Sequence, residues 1–362
     1  MEALYNVVCS ANVAFFTGNM EQAYKVLTDA LRLYRRLDNK KGISISCNNL
    51  GNMMLTIYRT MEATRETRVC GFTREQMIAE GISYFHEAIQ LGEKAYDAFY
   101  EAQGWSPICL DFMQHLSNRY FNRAMFLLTI KDCHEKPEEI MELGLRDLQI
   151  ARDMDVEIVE EGTQAGWDGV RTSDKLFDVM LTRLRGHLLL QEMGYPDEYN
   201  TEECLEEAFR TVRNEVKGVL TTGDSVLFHG IAPAGRMQQI ETELMRYKML
   251  KGDIVEAAKI AIRMLVEDHY TLFDAQMKAL EILLFYVNSP EGEQLLSAEE
   301  KSRLRRFQLM FKEQEQTSSQ ACMSTTCLGK ENSTTIYSSS STSFRLSSVR
   351  ESQRGDFTME MF

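Results

Sequence analysis

The sequence predicts an all-α protein made of successive antiparallel helical hairpins. Three observations support this class. The 362 residues include only five prolines, alternating Val/Ile/Thr runs of the strand type are nearly missing, and small side chains recur where two helices need close approach. Hairpins of this kind bury their apolar sides against one another, so about three of them suffice for a continuous core.

The clearest hairpin lies in residues 11–31. Gly18-Asn19 is expected to form its turn, because glycine and asparagine are common where a helix ends. The run Asn49-Leu50-Gly51-Asn52, about thirty residues later, matches the opening helix of a second hairpin. The close-contact positions of the first hairpin are Ala11, Ala14, Gly18, Ala23 and Ala30, with Leu27 among them.

This pattern resembles the tetratricopeptide repeat (TPR), whose unit is about 34 residues long. The resemblance implies a right-handed superhelical solenoid of about five to six hairpins over residues 1–316, clear in residues 1–160 and degenerate afterwards. Some later copies keep the residue spacing of the second helix. The fourth and sixth hairpins keep only apolar residues at helical spacing. The repeated positions are Gly81, Phe85 and Ala88, then Gly144, Leu148 and Ala151, then Gly252, Ala257, Ala261 and Met264.

The hairpins are longer than the family standard. The matched positions Leu27, Phe85, Leu148, Ala208 and Ala261 lie 58, 63, 60 and 53 residues apart. Long helices or long connectors must fill the difference. The expected fourth and sixth hairpins pair helices near 174–193 and 200–217, and near 270–288 and 297–316. The predicted connectors are 65–72, 103–107, 160–173 and 218–235.

Residues 317–362 predict a disordered tail. Residues 317–352 contain eighteen serines and threonines, too polar a composition to offset the entropy of ordering. Ser347 and Ser352 each follow an arginine by two residues, so they are candidate phosphorylation sites. An inert Ser-rich linker is the alternative. The ending 355–362 resembles the termini of protist proteins that join such repeats to a von Willebrand A domain, whose D-x-S-x-S metal motif is missing here.

Charge and cysteine content limit the classes of partner and the cellular compartment that we expect. The tail is neutral, so the formal charge of −14 belongs to residues 1–316 and disfavours nucleic acid and anionic membranes as partners. The eight cysteines form no C-x-x-C motif, and reduced thiols fit best. The amino terminus lacks the pattern of a secretory signal, so we expect a cytoplasmic protein with no membrane contact.

The resemblance also implies a binding site. In some TPR proteins, asparagines on the first helix of each repeat hold the backbone of an extended peptide. Here the ninth repeat position carries Asn12, Asn52 and Asn118, and the sixth carries Cys9, Asn49 and His115. An amide offers a donor and an acceptor, which suits a peptide backbone. Arg119 and Asn122 could add contacts, and Arg119 could equally be a solvated charge.

These asparagines have two other interpretations. Asn48, Asn49 and Asn52 could merely cap or solvate a helix. A carboxylate clamp of the co-chaperone type is disfavoured, because Val8, Asp111 and His115 stand where that type needs cations.

The sequence contains no motif typical of catalysis or of metal binding. The six histidines never pair at metal spacing, and no nucleophile elbow or phosphate loop occurs, so we expect no enzyme activity, no metal and no cofactor. The acidic series Asp153, Asp155 and Glu157 predicts a solvated helix end.

The sequence therefore predicts a non-catalytic adaptor or scaffold that binds a protein or peptide segment in a concave groove. The alternative is a regulatory or sensory repeat module that controls an enzyme on a separate chain. The identity of the partner and the oligomeric state stay open.

Overall fold

The structure is a computed structural model that describes residues 19–164, 170–222, 233–266 and 277–283, with parts of 297–309. This part of the chain is helical, with no strand and only an isolated bridge between Val69 and Phe72. Asn12, the start of the first predicted hairpin, and the tail with Ser347 and Ser352 lie outside it. The helices are α1 (Met20–Arg36), α2 (Lys40–Thr64), α3 (Arg74–Gln103), α4 (Pro107–Ile130), α5 (Pro137–Gln164), α6 (Val170–Glu192), α7 (Glu198–Thr222), α8 (Pro233–Leu250) and α9 (Ile254–Val266).

Asn19, the second residue of the predicted turn, caps the start of α1, whereas Gly18 lies outside the described residues. The Asn19 side chain accepts a hydrogen bond from the backbone N–H of Gln22, which satisfies one of the donors left open at a helix start. Ala23, Leu27 and Ala30 are completely or almost completely buried on one side of α1. These three of the predicted close-packing positions therefore lie in the core, whereas Ala11, Ala14 and Gly18 lie outside the described residues.

Glycines in two of the later helices allow equally close packing. A Cβ added to Gly51 of α2 would lie 2.7 Å from the Phe85 ring of α3, and one added to Gly81 of α3 would lie 2.4 Å from the Phe126 ring of α4. The two phenylalanine rings pack on each other with centroids 5.5 Å apart. These glycines let three successive helices approach around one aromatic pair.

Two of the predicted connectors are correct. Residues 65–72 separate α2 from α3, and residues 103–107 include the turn between α3 and α4. Arg65 ends α2 in a left-handed conformation with φ 59°. Thr73 and Gln76 then form a capping box, in which each side chain bonds the backbone of the other residue at the start of α3.

The other two predicted connectors are too long. Helix α5 continues through Gly162 to Gln164, and α6 already begins at Val170. The predicted non-helical connector covered 160–173. Likewise, α7 extends to Thr222 and α8 begins at Pro233, inside the predicted connector 218–235. A glycine costs a helix only about 1 kcal/mol relative to alanine, so the surrounding helix formers outweigh it.

The chain divides into two compact units, which meet in sequence between Thr211 and Val212. In the first unit, each of the helices α1 to α5 packs on the next one, and α2 also packs on α4. Helix α6 contacts α7 through Arg183 and Glu207. Its main hydrophobic cluster has members from Ala23 to Leu190, and Leu110, Met113 and Ile158 form a smaller separate cluster. In the second unit, α8 and α9 pack together over a separate core, which includes Met245, Ala261, Met264 and Leu280. None of the described helices is both long and apolar enough to cross a bilayer.

Candidate functional site

Helix α2 is buried on all its sides. Every residue from Gly42 to Leu55 is shielded from solvent, including Ser44, Ser46 and three asparagines. A helix that is buried around its whole circumference is normally apolar all round. The asparagines are Asn48, Asn49 and Asn52, and they lie in mid-helix, so they neither cap nor solvate α2 as the simpler interpretation expected.

Three sides of α2 have identified neighbours. The side of Ser44 and Gly51 faces α3, because the Ser44 hydroxyl donates to the Ala88 carbonyl at 2.7 Å and Gly51 lies against Phe85. Gly42 faces α1 through the ring of Tyr34. Asn48 faces α4, where its Oδ1 accepts a hydrogen bond from Nδ2 of Asn122 at 3.2 Å.

A fourth side of α2 lies between those that face α4 and α1. At 100° per residue it carries Ile45, Asn49 and Asn52, which we call the asparagine face. Each of these residues is at most 1% exposed. The Asn52 amide has no hydrogen-bond partner for either Nδ2 or Oδ1 among the described residues, and Nδ2 of Asn48 next to it also has none.

The predicted binding residues on α4 point in different directions. Asn122 is 1% exposed and contacts α2 through Asn48. Arg119 is 5% exposed and lies against α3, since a Cβ on Gly92 would come 2.5 Å from its Nη1. Arg119 is therefore not the solvated charge that the sequence allowed. Asn118 and His115 are half-buried, and Nε2 of His115 lies 3.7 Å from Oδ1 of Asp111 one turn earlier.

The surroundings of Arg119 form a polar contact between helices α1, α2 and α3. Glu87 of α3 accepts a hydrogen bond from Arg35 of α1 at 2.6 Å and lies 3.4 Å from Sγ of Cys47 on α2. Burial, together with the Glu87 charge, raises the pKa of the Cys47 thiol above its ordinary value, so the thiol stays protonated. This contact holds helices together and leaves no reactive thiolate.

A second polar region lies where α6 meets α7. His187 contacts Oδ2 of Asp197 through Nδ1, while Nδ2 of Asn200 donates to Oδ1 of Asp197 at 2.5 Å. Gln191 donates to the Asp197 carbonyl oxygen and to Thr201. We call Arg183, His187, Asp197 and Asn200 the junction cluster, which lines part of a cleft of about 480 Å³ together with Arg146 and Leu145 of α5.

Charges in the junction cluster are compensated. Arg183 lies 3.5 Å from Oε2 of Glu207, whose other oxygen contacts Arg152. Burial lowers the pKa of His187, although the Asp197 carboxylate partly offsets this effect. A neutral His187 donates through Nδ1 to Asp197 and orients the start of α7.

A buried triad connects α4, α5 and α6. The Ser117 hydroxyl lies 2.7 Å from Oδ1 of Asp155 and 2.7 Å from Nζ of Lys175. Asp155 is fully buried, and this burial raises the pKa of its carboxyl group. The prediction of a solvated acidic helix end is therefore wrong for Asp155, because the residue faces the α4–α5–α6 contact. In the part of the chain that the structure describes, no group of His, Cys, Asp and Glu could hold a metal ion.

Comparison of the chain with models of known protein families and with curated proteins finds no match.

Proposed function

We propose that this protein is a non-catalytic adaptor that binds an extended segment of a partner protein along α2 and α4. The hairpins then form a right-handed TPR-like superhelix, with α2 and α4 as first helices of successive repeats on its concave side. The packing of α2 on α4, two helices further along the chain, supports this arrangement, because first helices of adjacent repeats are neighbours in such a stack.

The observation that carries the proposal is the Asn52 amide. Both of its polar atoms are buried and lack a partner among the described residues. An unsatisfied buried polar group costs about 1 to 3 kcal/mol, so a sequence under no functional constraint would place an apolar residue here. The neighbouring Nδ2 of Asn48 adds a further donor without a partner.

A polypeptide backbone has the chemistry to satisfy these groups. Each peptide unit presents one N–H donor and one C=O acceptor, which complement the acceptor and donor of an asparagine amide. Recognition of a backbone depends little on the side chains of the bound segment. Specificity for one segment over another then comes from pockets that receive its side chains. Asn118 on α4 is half-buried and lies one turn before Asn122, so its amide is a further candidate for contact with the bound backbone.

The test combines a pulldown with affinity measurements. A partner is captured, its binding segment is narrowed to a synthetic peptide, and the affinity of that peptide is measured for the wild type and for Asn52→Ala with Asn118→Ala. Loss of two to three hydrogen bonds is expected to weaken binding by roughly 1 to 3 kcal/mol, or about 5- to 150-fold. Helical content should be retained, because alanine is the better helix former.

Asn200→Ala is the matched control. It removes an asparagine amide whose Nδ2 is already bonded to Asp197, far along the sequence from α2 and α4. This variant should keep the peptide affinity and lose about 1 kcal/mol of stability. Equal affinities for the wild type and the double variant would refute the proposal. Capture of a stoichiometric folded enzyme, unaffected by the double variant, would favour the regulatory-module alternative.

A further inference from the structure

Two turns between helices of the first unit expose large apolar side chains. At the turn between α1 and α2, Leu33 is 40% and Leu37 is 58% exposed, and we call these residues the α1–α2 patch. At the turn between α3 and α4, Tyr100 is 47%, Trp105 is 39% and Ile108 is 53% exposed, and we call these residues the α3–α4 patch. Single exposed apolar side chains are common, whereas groups of them are typical of a surface that binds another molecule.

The two turns lie at the same end of the hairpins. Ser44 near the start of α2 bonds Ala88 in the second half of α3. Gly51, further along α2, lies against Phe85, which precedes Ala88, so the two helices run antiparallel. At a rise of 1.5 Å per residue, α3 extends roughly 15 Å beyond the first residue of α2. The α3–α4 turn therefore projects past the α1–α2 turn, and the described part of this end forms a step.

The projecting turn that carries Trp105 has a fixed conformation. The N–H of Gly104 donates to the Tyr100 carbonyl at 2.8 Å, and its φ of 67° lies in the left-handed region that glycine adopts without strain. The N–H of Cys109 donates to the Ser106 carbonyl at 2.9 Å, and the Cys109 thiol donates to the Gly104 carbonyl at 3.2 Å. A rigid surface loses little conformational entropy when it binds a partner.

The projecting turn is acidic. Residues 95–114 contain three acidic residues and neither lysine nor arginine, although Lys94 and His115 flank this stretch. Residues 156–164, at the end of α5, contain three more acidic residues and again no lysine or arginine. The six acidic residues are Asp97, Glu101, Asp111, Glu157, Glu160 and Glu161.

The end of α5 lies beside the projecting turn. Ile158 of α5 packs with Leu110 of α4 in one small cluster, and Tyr96 of α3 packs against this cluster. Burial raises the pKa of Tyr96, and the carboxylates of Glu157 on α5 and Asp97 on α3 raise it further. Carboxylates from two helices therefore act at the same end of the α3–α4 hairpin.

The α1–α2 patch has the opposite charge. Residues 31–41 contain five lysines and arginines but one aspartate. Three of these cations pair with carboxylates of their own chain. The side chains of Arg36 and Lys41 are exposed and form no ion pair with a described residue, and the same is true of Asp97 and Glu101 beside the α3–α4 patch.

We propose that two copies of this chain associate end to end, with the α3–α4 patch of each copy packed on the α1–α2 patch of the other. The projecting turn of one copy then fills the step of the other, so that Trp105 and Ile108 pack on Leu33 and Leu37. Because both patches lie at one end, a single two-fold axis forms both contacts at once. This dimer contact is separate from the α2–α4 groove and does not rest on the proposed function.

Charge favours this pairing of patches over the others. Contact between two α3–α4 patches would bring carboxylates together, and contact between two α1–α2 patches would bring cations together. Only the mixed pairing places Arg36 and Lys41 opposite Asp97 and Glu101. The net charge of −14 repels two copies at long range. Salt screens this repulsion beyond about 10 Å at 0.1 M, whereas opposite charges in close contact still attract each other.

The first experiment measures association by sedimentation equilibrium of the full-length chain. The wild type should form a dimer in a concentration-dependent way. Trp105→Ser/Ile108→Ser and Leu33→Ser/Leu37→Ser should each weaken the dimer at least about tenfold, because each removes the apolar centre of both contacts. Tyr199→Ser, which removes an exposed side chain outside both patches, is the matched control and should associate as the wild type does. A wild type that stays monomeric, or that forms a growing series of oligomers, would overturn the two-fold arrangement.

The second experiment exchanges the charges. Asp97→Lys/Glu101→Lys makes both patches basic, and Arg36→Glu/Lys41→Glu makes both patches acidic. Each variant alone should therefore dimerise about tenfold more weakly than the wild type. An equimolar mixture of the two variants should form a heterodimer, because every contact then joins a basic patch to an acidic one. Circular dichroism should show unchanged helical content, since all four side chains are exposed.

Glu66→Lys/Glu135→Lys is the matched control for the charge exchange. It makes the same change in charge at exposed positions of the α2–α3 and α4–α5 turns and should retain the dimer. An equal loss in this control, or a mixture of the two charge variants that stays monomeric, would contradict the inference. Asn52→Ala with Asn118→Ala should dimerise as the wild type does, so the dimer and the peptide groove can fail separately.

Discussion

The asparagine face of α2 and the paired clusters elsewhere in the first unit differ in how their buried polar groups are satisfied. In the paired clusters, Arg123 binds Asp147 through two hydrogen bonds of 2.6 and 2.7 Å, and Asp197 is bound by His187 and Asn200. On α2, the Asn52 amide is equally buried but has no partner among the described residues. Burial alone therefore does not distinguish structural polar groups from candidate binding groups, whereas hydrogen-bond satisfaction does.

The difference has an energetic consequence. Removing one member of a satisfied buried pair leaves the other member without a partner, which is costly. Removing an amide that has no partner takes away a penalty instead. Substitutions in the two regions should therefore change stability in opposite directions.

Asp147→Ala should produce the largest loss. Asp147 has only 1% of its side chain exposed, and the substitution leaves the Arg123 guanidinium largely buried without its two hydrogen bonds. We expect the free energy of unfolding to fall by about 3 to 5 kcal/mol, measured by urea denaturation. Asp147→Asn, which keeps one acceptor, should lose less. A loss below about 1 kcal/mol would show that the pair does not hold α4 and α5 together.

Asp197→Ala should have a smaller but clear effect. The carboxylate accepts hydrogen bonds from His187 and Asn200 at the start of α7, and both donors become unsatisfied without it. Hydrogen bonds to a charged group are worth about 1.5 to 3 kcal/mol, so we expect a loss of about 2 to 3 kcal/mol in the same denaturation assay. Peptide affinity at the asparagine face should not change, and a parallel loss of affinity would mean that the two regions are coupled.

The pH dependence of stability should report on His187. Burial lowers its pKa in the folded protein, whereas in the unfolded chain the pKa is about 6.5. Below pH 6.5 the unfolded chain binds more protons at this residue, so stability contributed by neutral His187 is lost as the pH falls towards the folded-state pKa. The slope from one histidine is at most about 1.4 kcal/mol per pH unit.

His187→Asn is the matched variant for this measurement. Its amide can still donate to Asp197 but does not titrate. The melting temperature should therefore decrease less steeply between pH 7 and pH 5 for His187→Asn than for the wild type. Identical slopes would assign the pH dependence to other groups.

The sequence predicts much of the helical framework but not the environment of its polar residues. Small and apolar side chains that repeat with helical spacing predict core positions for Ala23, Leu27, Phe85 and Leu148, and all four are buried. Helix ends near Gly162 and Gly218 were misplaced, since local glycine signals are weaker than the packing of long helices.

The polar contacts depend on helices that are distant in sequence. Asn48 and Asn122 are separated by 74 positions, and Ser117 lies 58 positions from Lys175. No local pattern indicates which asparagine will meet a partner. The sequence pattern therefore predicts a groove position for Asn52 and does not predict the hydrogen bond between Asn48 and Asn122. The burial of Asn52 and the lack of a partner for its amide are visible only in three dimensions.

Asn52→Leu should have the smallest effect on stability and is the sharpest test of the comparison. Leucine has nearly the shape of asparagine but no polar atoms, so it removes the unsatisfied donor and acceptor without leaving a cavity. We expect the free energy of unfolding to stay unchanged or to rise by up to about 1 kcal/mol, while peptide affinity falls as for Asn52→Ala. Asn200→Leu, at an amide that is bonded to Asp197, should instead lose about 1 kcal/mol or more. If Asn52→Leu destabilises the protein as much as Asn200→Leu does, the Asn52 amide is satisfied in solution and the distinction between the two regions is lost.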